Sequence, residues 1–209
     1  MNYCFITNTC QNLNLYNYLN IPYNTPFIGS YMQDDEAYVN FCVNYDYYIL
    51  QVPVFKKSKQ DKDTDAYTDY PVMFLGDFEI HWIHETNETD LLEKYNRRLE
   101  RSRHTSPVFL WGDNLTLNNH TPRELEVLKK KFLNSPHHTI YLDKNDIPEW
   151  AHFTMTDRVP TTGHAKPLAW YTYDKACLAS TLYFNRWLEE STRLLPNQSQ
   201  VQHPQLNTS

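Results

Sequence analysis

The chain reads as a succession of short apolar blocks separated by polar turns. NYCFIT (2–7) is a continuous apolar run that breaks into NTCQN, the pattern of a buried strand ending in a turn. QNLNLYNYL (11–19) has the spacing of one short helix, and PFIGSYM (26–32), behind Pro22 and Pro26, reads as a second strand. Asp34 and Asp35 stand at a helix start, followed by Tyr38, Phe41, Cys42 and Tyr45 at helical spacing. YYILQVPVF (47–55) is β-branched and aromatic, and Pro53 places it at a sheet edge or a strand end. Residues 56–69 are charged and aperiodic, which predicts a mobile surface loop.

Behind that loop VMFL and FEIHWI are strand-like. The second alternates strictly, with Phe78, Ile80 and Trp82 on one face and Glu79 and His81 on the other. Asn87 with Asp90 predicts the capped start of a helix running to about Arg103. VFLW (108–111) is the next strand. Thr121, Pro122 and Glu124 then give a strong helix start, and that helix ends near Asn134 before HTIYL and Asp143. Residues 144–170 are Pro-punctuated and irregular, Asp174 to Leu195 has the pattern of a terminal helix, and 196–209 is a polar tail expected to be disordered. Strands alternating with helices at short spacing imply a single α/β domain over 1–195, with a mainly parallel sheet covered on both faces.

Composition narrows the function classes. The 209 residues hold 41% hydrophobic and 15% aromatic side chains, enough apolar surface for a core without disulfide or metal staples. Only 4 glycines are present, which excludes glycine-rich phosphate loops. A net charge of -6 argues against a nucleic-acid partner, whose phosphates would demand a basic face. No apolar run is long enough to span a bilayer, and MNYCFITN lacks the basic and apolar regions of a signal peptide, so a cytoplasmic location is expected. On that expectation the sequons at Asn87, Asn114, Asn119, Asn197 and Asn207 are chance products of an Asn-rich chain. Cys4, Cys10, Cys42 and Cys177 lie far apart, suggesting neither a zinc knuckle nor a disulfide framework.

Three features carry candidate chemistry. In DFEIHWIHE (77–85), Glu79 and His81 leave a strand on the same side, Asp77 joins them if the strand reaches that far, and His84 follows at the strand end. A carboxylate beside an imidazole is the minimum for general base catalysis, because the anion raises the imidazole's basicity. The competing reading is a hydrogen-bonded core histidine. The HxxH spacing on a strand is not that of a helical zinc site, so no metal set is specified, nor is any cofactor. In EKYNRRLERSR (93–103), helical spacing puts Leu92, Tyr95 and Leu99 on one side and Lys94, Arg97, Arg98 and Arg101 opposite, a stripe suited either to a diphosphate or simply to solvent. At the end of the first strand, Asn8 and Thr9 offer hydrogen bonds and Cys10 a candidate nucleophile. Asp113 and Asp143 follow later strands at the same expected edge.

Several of these strings, in order, resemble a bacterial family catalogued as a domain of unknown function and labelled exopolysaccharide biosynthesis protein. The matching stretches are ITNTCQ, PYNTPFIG, YPVMFLGD, DFEIHWIHE, EKYNRRLERSR, the Asp113 position and NRWLEE (185–190). Asn8, Cys10, Asp77, His81, His84, Arg97, Arg98, Arg101 and Asp113 sit on pattern positions, whereas Gln11, Asn12, Leu13 and Glu85 depart from it. The resemblance implies a three-layer Rossmann-like fold and a place in surface-glycan assembly. The resulting expectation is a glycan-directed transferase that moves an activated group, glycosyl in the favoured form, from a nucleotide-sugar or other donor to a sugar hydroxyl. Glu79, His81, Asp77 and His84 would be its acid–base groups. The alternatives are an acyltransferase or hydrolase using Cys10 or His81, and a non-catalytic glycan-binding subunit peripherally attached to a synthesis complex.

Overall fold

The computed structural model describes residues 3–9, 12, 15–16, 21–32, 34–58, 70–112 and 120–142. Within these, continuous apolar blocks have become strands and 3.6-spaced blocks helices. The order is β1 (Tyr3–Thr7), α1 (Asp35–Val43), α2 (Tyr45–Tyr48), β2 (Pro53–Phe55), β3 (Val72–Leu75), β4 (Phe78–His81), α3 (Glu88–Ser102), β5 (Ser106–Gly112), α4 (Pro122–Leu133) and β6 (His138–Leu142). The chain is thus a mixed α/β protein. A parallel sheet runs β1-β5-β6, with Ile6 opposite Phe109 and Trp111 opposite Tyr141. The other three strands form an antiparallel sheet, β2-β3-β4.

That second sheet corrects the expectation of a mainly parallel arrangement. VMFL and FEIH pair directly as a hairpin, Leu75 opposite Phe78, because only Gly76 and Asp77 separate them and no crossover fits in two residues. Gly76 adopts φ 64°, the left-handed conformation that so tight a turn requires. Two further expectations change. The 47–55 stretch is a strand only at Pro53–Phe55, since Tyr45–Tyr48 continues the helical region past Asn44. PFIGSYM is a turn over 26–29 followed by a single bridge residue, Tyr31. Asn12, Leu15 and Tyr16 are helical, in keeping with the 11–19 pattern. The loop at 59–69, Cys10, Asp113, Asp143, the 144–170 stretch, the terminal helix and the tail lie outside the described residues.

Local signals set the helix starts. The Asp34 carboxylate accepts from Ala37 N at 2.8 Å, Asn87 Oδ1 accepts from Asp90 N, and Thr121 with Glu124 closes a full capping box ahead of Pro122. Helix α1 then buries Tyr38, Val39, Phe41 and Cys42. Phe41 stacks on Phe78 of the hairpin with ring centroids 4.3 Å apart, and meets Phe109 of the parallel sheet edge-on at 6.0 Å and Phe27 at 5.3 Å. One ring therefore packs against both sheets. Tyr38 reaches the parallel sheet with its hydroxyl, 3.0 Å from the carbonyls of both Ile6 and Leu110. Helix α4 closes over α1 and the sheet through Phe132, against Tyr38 and Trp111.

Both faces of the parallel sheet are buried. Ile6, Phe109 and Trp111 face α1 and α4, while Phe5, Val108 and Leu110 on the reverse face are equally inaccessible, with Tyr16 against Phe5. Segment 31–32 ties the two sheets by backbone bonds. Met32 N donates to Asn8 O at 3.0 Å, and Tyr31 exchanges bonds of 2.7 and 2.9 Å with His81.

Phe41→Ala should lower the unfolding free energy in urea by about 3–5 kcal/mol, the range for emptying a buried aromatic site. Tyr38→Phe, which keeps the ring but removes the hydroxyl, should cost about 1 kcal/mol in the same assay, because the two strand carbonyls lose their shared donor.

Candidate functional site

The strand order places the carboxyl ends of β1 and β5 side by side, and the start of α1 lies against them. Asn8, immediately beyond β1, is fully buried; its Nδ2 reaches Gly112 O at 3.5 Å, while its Oδ1 is buried without a hydrogen-bond partner. Thr7 and Thr9 are buried beside it, the Thr7 hydroxyl donating to Thr9 O. Asp35, the first residue of α1, is also fully buried. Its Oδ1 accepts from Trp111 Nε1 at 2.6 Å, and its Oδ2 stands 3.4 Å from His120 Nε2. The helix N-terminus favours a carboxylate there, and the indole donor compensates part of its desolvation. Three chain segments thus bring an amide, a carboxylate and an imidazole to the edge where open α/β sheets bind ligands.

The His120 side chain is largely covered, at 18% exposure. Asp35 raises its pKa above the ordinary value of 6.5, and this outweighs the opposing effect of burial. With Nε2 turned to the carboxylate, Nδ1 is the nitrogen that carries a lone pair in the neutral ring. The buried anion beside it therefore strengthens the imidazole as a base, although Nε2, like that of His81, is not aligned for a hydrogen bond. Neither residue was singled out from the sequence. Asp35 resembled one more acid of a helix first turn, and His120 sits in polar sequence just ahead of a capping box. Only tertiary structure joins positions 35, 111 and 120.

The expected acid–base group on β4 lies elsewhere. His81 and Glu79 do share a face, with Nε2 and Oε1 2.9 Å apart, but His81 is 2% exposed and its Nε2 is not aligned for a hydrogen bond. The Tyr70 hydroxyl lies 3.3 Å from His81 Nδ1, and Ser58 donates to Glu79. Phe78, Ile80 and Trp82 occupy the opposite, core-facing side as the alternation required. Asp77 is not on this face. It sits in the hairpin turn, exposed, and accepts from the Tyr48 hydroxyl at 3.0 Å. His84 is exposed, and its ring edge lies beside Gly29, whose φ of 75° suits the turn there. Through Tyr31 and Met32 the end of β4 at His81 is linked by backbone bonds to Asn8 at the end of β1.

The arginine stripe also changes. Helix α3 buries Leu91, Tyr95 and Ser102, so its inward face is rotated relative to the Leu92–Tyr95–Leu99 line and takes in Arg98. Arg97 and Arg101 are exposed. Among the charges acting on Arg98 are those of Glu85, Arg101 and Arg97. Among the described residues no cluster of three His, Cys, Asp or Glu is placed to hold a metal ion, and no helix is long and apolar enough to cross a membrane.

The raised His120 pKa has a linkage consequence. The Asp35–His120 attraction stabilises the fold fully below the unfolded value of about 6.5 and is lost as pH rises through the higher folded value. His120→Gln and Asp35→Asn should each remove this component, flattening the change in urea midpoint between pH 6 and 8. In NMR titration the His120 pKa should fall toward 6.5 in Asp35→Asn.

An uncharacterized protein of Haemophilus influenzae is 30% identical to the chain over 83 residues, which is 40% of this chain and 36% of that relative, so the match spans little more than a third of the relative's length. A family model matches residues 1–150, which include all six strands defined above. On that match the chain belongs to the family described as a domain of unknown function, DUF1919.

Proposed function

We propose that the protein is a transferase of glycan biosynthesis that moves an activated group onto a sugar hydroxyl, with His120 as general base. The observation that carries this reading is the Asp35–His120 pair beside the unpartnered Asn8 Oδ1, at the carboxyl edge of the parallel sheet. The acceptor hydroxyl gives its proton to His120 Nδ1 as its oxygen bonds to the transferred group, and the donor's leaving group departs with the bonding electron pair. Asp35 stabilises the imidazolium that results.

The sequence resemblance to surface-glycan proteins supports the substrate class, and glycosyl transfer from a nucleotide-sugar is its favoured form. The burial of both sheet faces supports completion of the domain as a three-layer Rossmann-like fold. In this reading the protein works at the cytoplasmic side of a glycan-synthesis complex without spanning the membrane.

Calorimetry of the full chain against UDP, GDP, CMP and coenzyme A tests the proposal. One nucleotide should bind saturably, and transfer from the corresponding sugar donor should fall by about 10²- to 10⁴-fold in His120→Ala while nucleotide affinity stays within about twofold. Binding of coenzyme A alone, with loss of turnover in Cys10→Ala, would replace glycosyl by acyl transfer. If none of the four binds, the transferase reading fails.

A further inference from the structure

Helix α3 carries a charge where its packing favours an apolar group. Its buried stripe is Leu91, Tyr95 and Ser102, and Arg98 falls three residues after Tyr95 and four before Ser102, on the same side of the helix. The side chain is half-buried, and its Nη1 is closed off from solvent without a hydrogen-bond partner. Glu85, the carboxylate whose charge it senses, is held by Lys94 at 2.7 Å. Glu100 on the same helix is engaged by Arg103 at 2.9 Å. Burial lowers the Arg98 pKa, and against the pull of Glu85 the positive charges of Arg101 and Arg97 lower it further.

A buried donor without an acceptor costs about 1–3 kcal/mol, and more when it is charged. Acids and bases balance over 85–103 as a whole, but Lys94, Arg97, Arg98 and Arg101 outnumber Glu85, Glu93 and Glu100 around Arg98, which leaves a small local surplus. A guanidinium fork matches the oxygens of a phosphate in-plane, and the surplus suits a group bearing two or three negative charges better than a carboxylate.

The place of this cluster is also defined. Helix α3 ends at Ser102, whose carbonyl accepts from Thr105 N at 2.9 Å just ahead of β5, where Ser106 pairs with Tyr3. Arg98 is four residues from that end, about 6 Å along the axis. Its neighbour Tyr23 packs on Tyr16, and the adjacent Asn24 donates to Tyr3 O at 2.6 Å. All of these contacts belong to the starting edge of the parallel sheet, whereas Asn8, Asp35 and His120 are at its finishing edge.

We infer that Arg98, flanked by Lys94, Arg97 and Arg101, is a binding site for a phosphate or diphosphate group, separate from the Asp35–His120 edge. The site stands whether or not His120 is the base.

Calorimetric titration of the full chain with inorganic pyrophosphate, and separately with orthophosphate, tests it at low ionic strength. Pyrophosphate should bind saturably and more tightly than orthophosphate. Arg98→Gln should weaken it by about tenfold or more, as expected for loss of a charge-assisted hydrogen bond, with partial recovery in Arg98→Lys. Arg101→Gln changes an exposed side chain, so it reports on the site even if Arg98→Gln fails to fold, and it should weaken binding several-fold. His120→Gln should leave pyrophosphate affinity unaltered. Absence of saturable binding, or wild-type affinity in the arginine variants, would overturn the inference. So would equal loss in His120→Gln, which would put the anion at the opposite edge.

Discussion

The ring of Phe41 is the contact on which the arrangement depends. It lies flat against Phe78 of the antiparallel hairpin and edge-on to Phe109 of the parallel sheet, so a single side chain of α1 packs against both sheets. Tyr38, one turn earlier, fixes the same helix to the carbonyls of β1 and β5. With these two positions set, the start of α1 falls at the carboxyl edge of the parallel sheet. Asp35 is carried into that edge by packing that has nothing to do with its charge.

Two helices therefore place a charged residue on a buried position, with different consequences. Asp35 meets an indole donor, a helix N-terminus and an imidazole, so its charge is compensated within the protein. Arg98 meets other cations and a carboxylate already taken by Lys94. In the first arrangement the charge is compensated within the protein, and the imidazole pKa is raised. In the second the Arg98 Nη1 has no partner. The two lie toward opposite edges of the same sheet.

The Glu79–His81 pair stands where the hairpin meets the parallel sheet. His81 exchanges both backbone bonds with Tyr31, whose neighbour Met32 bonds Asn8. The side chains of His81, Tyr70, Glu79 and Ser58 form a covered polar group on the outer face of the hairpin. This region links the hairpin to the end of β1, so it positions Asn8 through the backbone.

Local chemistry was legible in the chain. The caps at Asp34, Asn87 and Thr121, the apolar face of α1, the β1, β5 and β6 strands and the inward turn of Phe78, Ile80 and Trp82 follow from spacings of two to four residues, where the side chain and the backbone it orders are neighbours. Strand direction was not, because VMFL and FEIH carry the same apolar signal in a parallel or an antiparallel pair, and the two-residue turn between them decides it. The orientation of α3 differed by about one residue of rotation, enough to bring Arg98 inward, since Leu91 and Leu92 compete for the core on sequence alone and only packing chooses. Asp35, Trp111 and His120 lie 76 and 9 residues apart along the chain. Their meeting is a long-range consequence of where Phe41 and Tyr38 dock α1, and no local pattern encodes it.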